Sequence, residues 1–256
     1  MQIFDSKIRY SETDSDEYLT VESLINYFQD ASTLQSREAG VGTQYLRDHG
    51  ICWMVLSWQL EIKRLPKFYE RVRVGTFPYA MKGFSGLRNF YMDAETENLK
   101  FERIVSANSN WVLMNIASMM PERISKEHMD RYIFEEKLDM EYMDRKIRLS
   151  SKASPVEAEK TVIQESHLDS NNHVNNGKYI RFAMDALAKK LPHSAVSKKI
   201  RALKSDNMRG SEGLRIRTEY RKQAHIGDVL VPYIYEDIGI VDIRMDDETC
   251  CLVELS

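Results

Sequence analysis

In the stretch HLDSNNHVNNGKYIRFAMDAL, residues 167–187, one Asp, one further His and four Asn crowd the turn ahead of an apolar periodic segment. Imidazoles exchange protons near neutral pH, which makes His173 the natural proton handler. Asp169, four residues earlier in the same turn, could fix the imidazole tautomer or itself take a proton from water. Asn171 can hold a water or a carbonyl. The helix predicted to follow presents unpaired N–H groups and a partial positive charge of about half a unit. Asn175 and Asn176 therefore mark where donors to an oxyanion are expected.

Asp, Asn and Ser are also ordinary turn and cap residues, so the turn needs a control, and the chain supplies one. DSDEYLTVESLINYFQDA (14–31) aligns with DSNNHVNNGKYIRFAMDA (169–186) at a constant offset of 155. Asp14 falls on Asp169, Asp16 on Asn171, Tyr18 on His173 and Thr20 on Asn175. Downstream, LEIKRLPKFYERVRV (60–74) answers TEYRKQAHIGDVLV (218–231), and MDAET (92–96) answers MDDET (245–249). Thr20 and Asn175 are both good N-caps, so capping accounts for that pair. Capping does not call for His173, because the first turn heads its helix with Tyr18 at that place.

The two copies predict the same elements. A short strand (KIRY, then TVIQ) leads to a polar turn and a helix. Leu24, Phe28, Ala31 and Leu34 recur at helical spacing in the first copy, as do Tyr179, Phe182, Ala183, Ala186 and Leu187 in the second. Strands follow: SWQLEIKR sets Trp58, Leu60 and Ile62 on one face, and LRIRTEYR does so with Leu214, Ile216, Thr218 and Tyr220. The expected class is α+β, a helix against an antiparallel sheet, made twice. The charged, Ser/Pro-containing stretch 137–160 reads as a linker, placing the units at 1–148 and 149–256.

At 256 residues and 43% hydrophobic content, the chain can bury a substantial core. No apolar run approaches the roughly 20 residues of a membrane helix, and the charged N-terminus lacks a signal-peptide core. Cys52, Cys250 and Cys251 form neither a disulfide framework nor a metal-ligand pattern, so reduced thiols, a cytoplasmic setting and no metal are expected. The net charge is −3, yet residues 188–222 hold eleven Lys or Arg against Asp206, Glu212 and Glu219. Such a stretch attracts an acidic partner. It lacks interleaved aromatics or a nucleic-acid motif.

LDSNNHVNNGKYI resembles the LDxNxHVNNxKYI pattern of acyl-acyl-carrier-protein (acyl-ACP) thioesterases. LTVESLINYFQDAS, WMVLSWQLEIKRLP and NSNWVLMN are similar to that family's N-terminal repeat. The resemblance covers nearly the whole chain and implies a tandem, or double, hotdog: two antiparallel sheets, each wrapped around a long central helix. It implies hydrolysis of a fatty acyl-ACP thioester to free fatty acid in fatty acid biosynthesis, without a cofactor. Asp169, Asn171 and His173 fall on the family's catalytic positions. A glutamate expected in a YRxEC context falls on Gln223, and the adjoining cysteine on Ala224. A mechanism with that cysteine as nucleophile is therefore impossible, and the base role shifts to Asp169 or His173, with Gln223 orienting the water.

The resemblance also implies a division of labour. The second repeat carries the chemistry, while the first is chemically silent and lines the acyl tunnel, with Phe28, Trp53, Met54 and Trp58 as candidates. Lys198, Lys199, Arg201, Arg221 and Lys222 would dock the acidic carrier protein and its phosphopantetheine arm. Two hotdogs can pair within one chain, so a homodimer is possible but not required. Two other readings remain open: an acyl-coenzyme A thioesterase, and a degenerate hotdog that binds acyl chains or carrier protein without turnover, motivated by Gln223.

Overall fold

Helical spacing and strand alternation place the elements twice over. The computed structural model, which describes residues 1–169, 171–204 and 213–256, opens with β1 (Gln2–Lys7), a 3-10 turn (Tyr10–Glu12) and α1 (Val21–Glu38). Next come α2 (Thr43–Asp48), β2 (Ile51–Ile62), β3 (Arg71–Lys82), β4 (Ser85–Glu95), β5 (Phe101–Asn115), β6 (Met120–Pro121) and α3 (Lys126–Asp130). The second half has β7 (Val156–Glu157), β8 (Thr161–Val162), a 3-10 turn (Glu165–His167), α4 (Asn176–Lys190) and α5 (Ala195–Ala202). It ends with β9 (Leu214–Tyr220), β10 (Val229–Tyr235), β11 (Ile240–Met245) and β12 (Glu248–Leu255). The first strand thus precedes KIRY, of which only Lys7 is extended in β1.

Both long helices begin where a side-chain oxygen takes an orphan N–H. Thr20 Oγ1 accepts from Ser23 N–H at 3.0 Å, and Asn175 Oδ1 from Gly177 N–H at 2.8 Å. The strands form an antiparallel double hotdog whose two expected sheets are joined into one, in the order β1-β3-β4-β5-β2-β9-β12-β11-β10-β7. The join is the β2–β9 ladder, running from Ser57 opposite Glu219 to Ile62 opposite Leu214. It leaves neither strand as a bare edge.

One hydrophobic core spans both halves. It contains Leu24, Ile25, Phe28 and Ala31 of α1, Tyr179, Ile180 and Ala183 of α4, and sheet residues including Trp58 and Phe90. Phe28 stacks on Trp58 with ring centroids 6.2 Å apart and lies 5.3 Å from Phe90. Leu34, expected inside, is exposed; Gln35 turns inward instead and accepts a hydrogen bond from buried Arg88.

The expected linker is bonded along its length as a strap. Leu138 N–H and Tyr142 O–H donate to Asn89 Oδ1 at 3.1 and 2.9 Å, and Met143 N–H donates to Gln59 Oε1 at 3.1 Å. Ile147 N–H donates to Glu219 Oε2 at 2.8 Å. Asn89, Gln59 and Glu219 are buried polar residues of the sheet, and these bonds satisfy them. Burial pushes the Glu219 carboxyl up, but Arg221 and the Ile147 N–H outweigh it and hold it below its ordinary range.

His128 on α3 is buried among Tyr45, Trp53 and Tyr132, and neither ring nitrogen has a hydrogen-bond partner among the described residues. Burial, helped by nearby His49, holds this imidazole below its ordinary protonation range. The unfolded chain then binds the proton more readily, so this group's contribution to stability falls as pH drops through about 6.5. His128→Leu should flatten the loss of urea stability between about pH 7 and about pH 5 relative to the native chain. An unchanged slope would show that His128 does not cause it.

Candidate active site

The turn before α4 is closed by Asp169. Its Oδ1 accepts main-chain N–H groups of Asn171 at 2.8 Å and His173 at 3.3 Å, while its own N–H donates to His173 C=O at 2.8 Å. The first repeat does the same. Asp14 Oδ1 accepts from Asp16 and Tyr18 at 3.0 and 3.2 Å, and Asp14 N–H donates to Tyr18 C=O at 2.9 Å. Glu17 and Asn172, again 155 apart, both adopt the left-handed conformation, with φ of 64° and 61°. The bridges Thr13–Leu19 and Leu168–Val174 close the two turns alike.

Asp169 is therefore explained by the backbone it holds. Its hydrogen bonds go to main-chain N–H groups, and none to the His173 ring occurs among the described residues. This corrects the expected carboxylate–imidazole contact.

The α4 N-terminus is also engaged. Besides the Asn175–Gly177 cap, Asn175 N–H donates to His167 C=O and Lys178 N–H to Asn175 C=O, at 3.0 and 2.9 Å. Asn175 Nδ2 lies 3.4 Å from Asn26 Oδ1, and Asn176 C=O accepts from Tyr220 O–H at 3.0 Å. Gly177 packs on α1: an added Cβ would stand 3.2 Å from Glu22 O. The expected oxyanion donors at Asn175 and Asn176 thus sit at a helix end that is capped and packed against α1. The cap's side chain answers the Gly177 N–H and its carbonyl the Lys178 N–H.

Val174 N–H bonds to Ala224 C=O at 3.1 Å, and Ala224 N–H to the Tyr179 hydroxyl at 3.2 Å, which sets the 221–228 loop on the turn. Leu19 N–H bonds to Pro66 C=O in the first repeat, at 2.9 Å, so Leu65 and Pro66 do correspond to Gln223 and Ala224. Gln223 is half-buried. Two residues further, His225 sets its ring edge-to-face against His173, with centroids 5.1 Å apart. Its N–H donates to Asp228 Oδ2 at 2.8 Å, and its Nδ1 lies 3.8 Å from the same oxygen. The motif comparison passed over His225. It nonetheless falls inside the aligned repeat, where its counterpart Lys67 pairs with Tyr18, its Nζ 5.3 Å from the ring centre.

Asn171 is exposed at a cavity of about 550 Å³ otherwise lined by the first repeat, including Leu46, Ile51, Trp53, Met81, Leu87 and Trp111. Of the candidate acyl-binding residues, Trp53 is on this wall. Phe28 and Trp58 are core residues instead, because their rings pack on each other and on Phe90. Met54 is half-buried and does not border the cavity. The wall also carries Ser32, Ser36, Tyr132 and Arg88, whose guanidinium is pushed down to about 10 by burial.

Among the described residues of the basic stretch, several cations have acidic partners within the chain. Lys198 and Arg201 are exposed on α5 with Lys199 half-buried, but the end of α5 is tied to the first repeat. Leu65 N–H bonds to Leu203 C=O at 2.9 Å, and Lys204 Nζ lies 2.7 and 2.6 Å from Asp14 and Asp16. Arg221 pairs with Glu219 and Lys222 with Glu248. Asp206, Arg209 and Glu212 lie outside the described residues. Among the described residues no His/Cys/Asp/Glu group could hold a metal, and no helix is long and apolar enough to cross a membrane.

Two central helices on one antiparallel sheet, with a polar turn heading each, define a tandem hotdog protein. The chain belongs to the acyl-ACP thioesterase family: the family models for the N-terminal and C-terminal domains match residues 3–132 and 150–225. It is 26% identical over 189 residues to a chloroplastic palmitoyl-acyl carrier protein thioesterase of Gossypium hirsutum, covering 70% of this chain and 45% of that one. An oleoyl-acyl carrier protein thioesterase of Coriandrum sativum is 24% identical over 200 residues, covering 72% and 53%. The chain thus spans about half the length of the curated relatives it matches. An acyl-ACP thioesterase structure from Bacteroides thetaiotaomicron superposes with a TM-score of 0.79 at 19% identity, covering 99% of this chain and 97% of that one. The 12:0-ACP thioesterase of Umbellularia californica gives 0.72 at 18% identity, with the same coverage.

Asp14→Ala and Asp169→Ala each remove an oxygen that closes a turn. Urea denaturation should show similar costs for the two, roughly 1–3 kcal/mol. A negligible cost at either position would refute the shared structural role.

Proposed function

We propose that this protein hydrolyses the thioester of fatty acyl-acyl carrier protein, releasing free fatty acid and the carrier thiol. The observation that supports this most strongly is that the turn bearing Asn171 and His173, built by the second repeat, meets a cavity built by the first. The acyl chain occupies that cavity beside Trp53, and its carbonyl reaches the turn. His173 takes a proton from water as the oxygen attacks the carbonyl carbon. The Asn171 amide, and Gln223 across the turn, hold the water and the carbonyl oxygen. The C–S bond then breaks with its electron pair on sulfur. A thiol is acidic enough, with a pKa of about 8.5 for free cysteine, that the thiolate departs with little assistance and then takes up the proton held by His173. The family relatives, named for acyl carrier protein substrates, favour the carrier-bound thioester over coenzyme A.

Asp169 serves as scaffold in this reading, which is why the base is His173. The first repeat has the same backbone turn with Tyr18 in place of the imidazole, so its role is to hold the chain. Free thiols at Cys52, Cys250 and Cys251 suit a reducing, cytoplasmic setting.

His173→Ala should lower thiol release from acyl carrier protein thioesters by about 10²–10⁴-fold. Asp169→Asn, which keeps an acceptor oxygen for the turn, should cost far less. Thiol release should be faster from the carrier protein than from coenzyme A bearing the same chain. Full activity in His173→Ala, or no thiol release by the native protein across a range of chain lengths, would overturn the assignment.

A further inference from the structure

A proton-accepting imidazole works only if its ring is held in one orientation, and the orienting group is usually a neighbour bonded to the ring. Asp169 is the expected orienter, but its described hydrogen bonds go to the main chain, as those of Asp14 do in the first repeat. The described contact on the His173 ring comes instead from His225, edge-to-face at 5.1 Å. His225 is exposed on its loop, yet it is tethered. Asp228 accepts its main-chain N–H at 2.8 Å and stands 3.8 Å from its Nδ1.

The first repeat shows what this place does without chemistry. Its backbone is closed by equivalent bonds, and Lys67 stands over Tyr18 where His225 stands against His173. A flexible ammonium over a ring satisfies that turn, so the fold does not require a planar ring at 225. A planar ring there, on a backbone tied to Asp228 and with that carboxylate 3.8 Å from its Nδ1, restricts a neighbouring imidazole in a way a lysine cannot.

We propose that His225, anchored by Asp228, is the positioning residue that holds the His173 ring in its working orientation. This rests on the hydrolytic reading above, in which His173 handles the proton. His225 acts through its ring face and edge, so its role belongs to shape and not to proton transfer. A displacement of about 1 Å in a reacting group can cost about 10²-fold in rate, which sets the scale of the effect.

The test is thiol release by the full chain from acyl carrier protein thioesters, with thermal unfolding as the folding control. His225→Ala should lower kcat by about 10- to 100-fold with KM and the unfolding temperature little changed. His225→Phe, which keeps a ring without a titrating nitrogen, should restore most of kcat. In a His173→Ala background, His225→Ala should add nothing. Native-like kcat in His225→Ala would overturn the proposal, as would a His225→Phe variant as slow as His225→Ala. A further loss on top of His173→Ala would also overturn it. A native protein that releases no thiol would instead sink the hydrolytic reading itself, so the two failures are distinct.

Discussion

The pairing of β2 with β9 is the constraint on which the remaining structure depends. Six residues of one repeat lie opposite six of the other, from Ser57–Glu219 to Ile62–Leu214. Without this ladder β2 and β9 would each present one free strand edge to solvent, a template for association with other chains. With it, α1 and α4 share one core, close enough that Gly177 needs its missing Cβ to clear Glu22. The same approach brings Asn171 of the second turn to a cavity walled by the first repeat. A cavity bordered by residues of both copies accompanies this strand pairing.

Duplication also separates architecture from chemistry inside a single chain. Whatever both turns share, the fold needs: the aspartate that gathers two N–H groups, the left-handed residue, the helix cap and the bond to the loop carbonyl. What differs is available for function. By that measure Asp169 and Asn175 belong to the scaffold, whereas Asn171, His173 and His225 stand where the first copy has Asp16, Tyr18 and Lys67. The buried Arg88 and the hydroxyls of Ser32, Ser36 and Tyr132 give the cavity a polar side whose counterpart is the apolar wall of Trp53, Leu87 and Met81.

Much of this was legible in the sequence because the 155-residue offset is kept down to individual hydrogen bonds. The repeat, the caps at Thr20 and Asn175 and the strand faces of Trp58, Leu60 and Ile62 could be read directly. Periodicity cannot say which aromatics of α1 and β2 face a core and which a cavity, so Phe28 of α1 and Trp58 of β2 stand beside Trp53 as candidates. A count of lysines and arginines along 188–222 carries no partners, and the ion pairs of Lys204 and Lys222 lie 188 and 26 residues away. The strap at 137–160 reads as a linker because its bonds to Asn89, Gln59 and Glu219 come from main-chain groups and the Tyr142 hydroxyl, contacts with no sequence pattern. His225 lies one position past the YRxEC motif, and its counterpart in the aligned repeat is a lysine, so neither pattern marks it.

All of the chemistry assumes that the second copy's turn acts on a chain lodged in the first copy's cavity. The most direct test is a crystal structure with an acyl-pantetheine in which an amide replaces the thioester. The acyl chain should run past Trp53 and Leu87, with the amide carbonyl within hydrogen-bonding reach of Asn171 and the His173 ring beside the carbonyl carbon. A chain bound elsewhere, with its carbonyl remote from His173, would contradict the account.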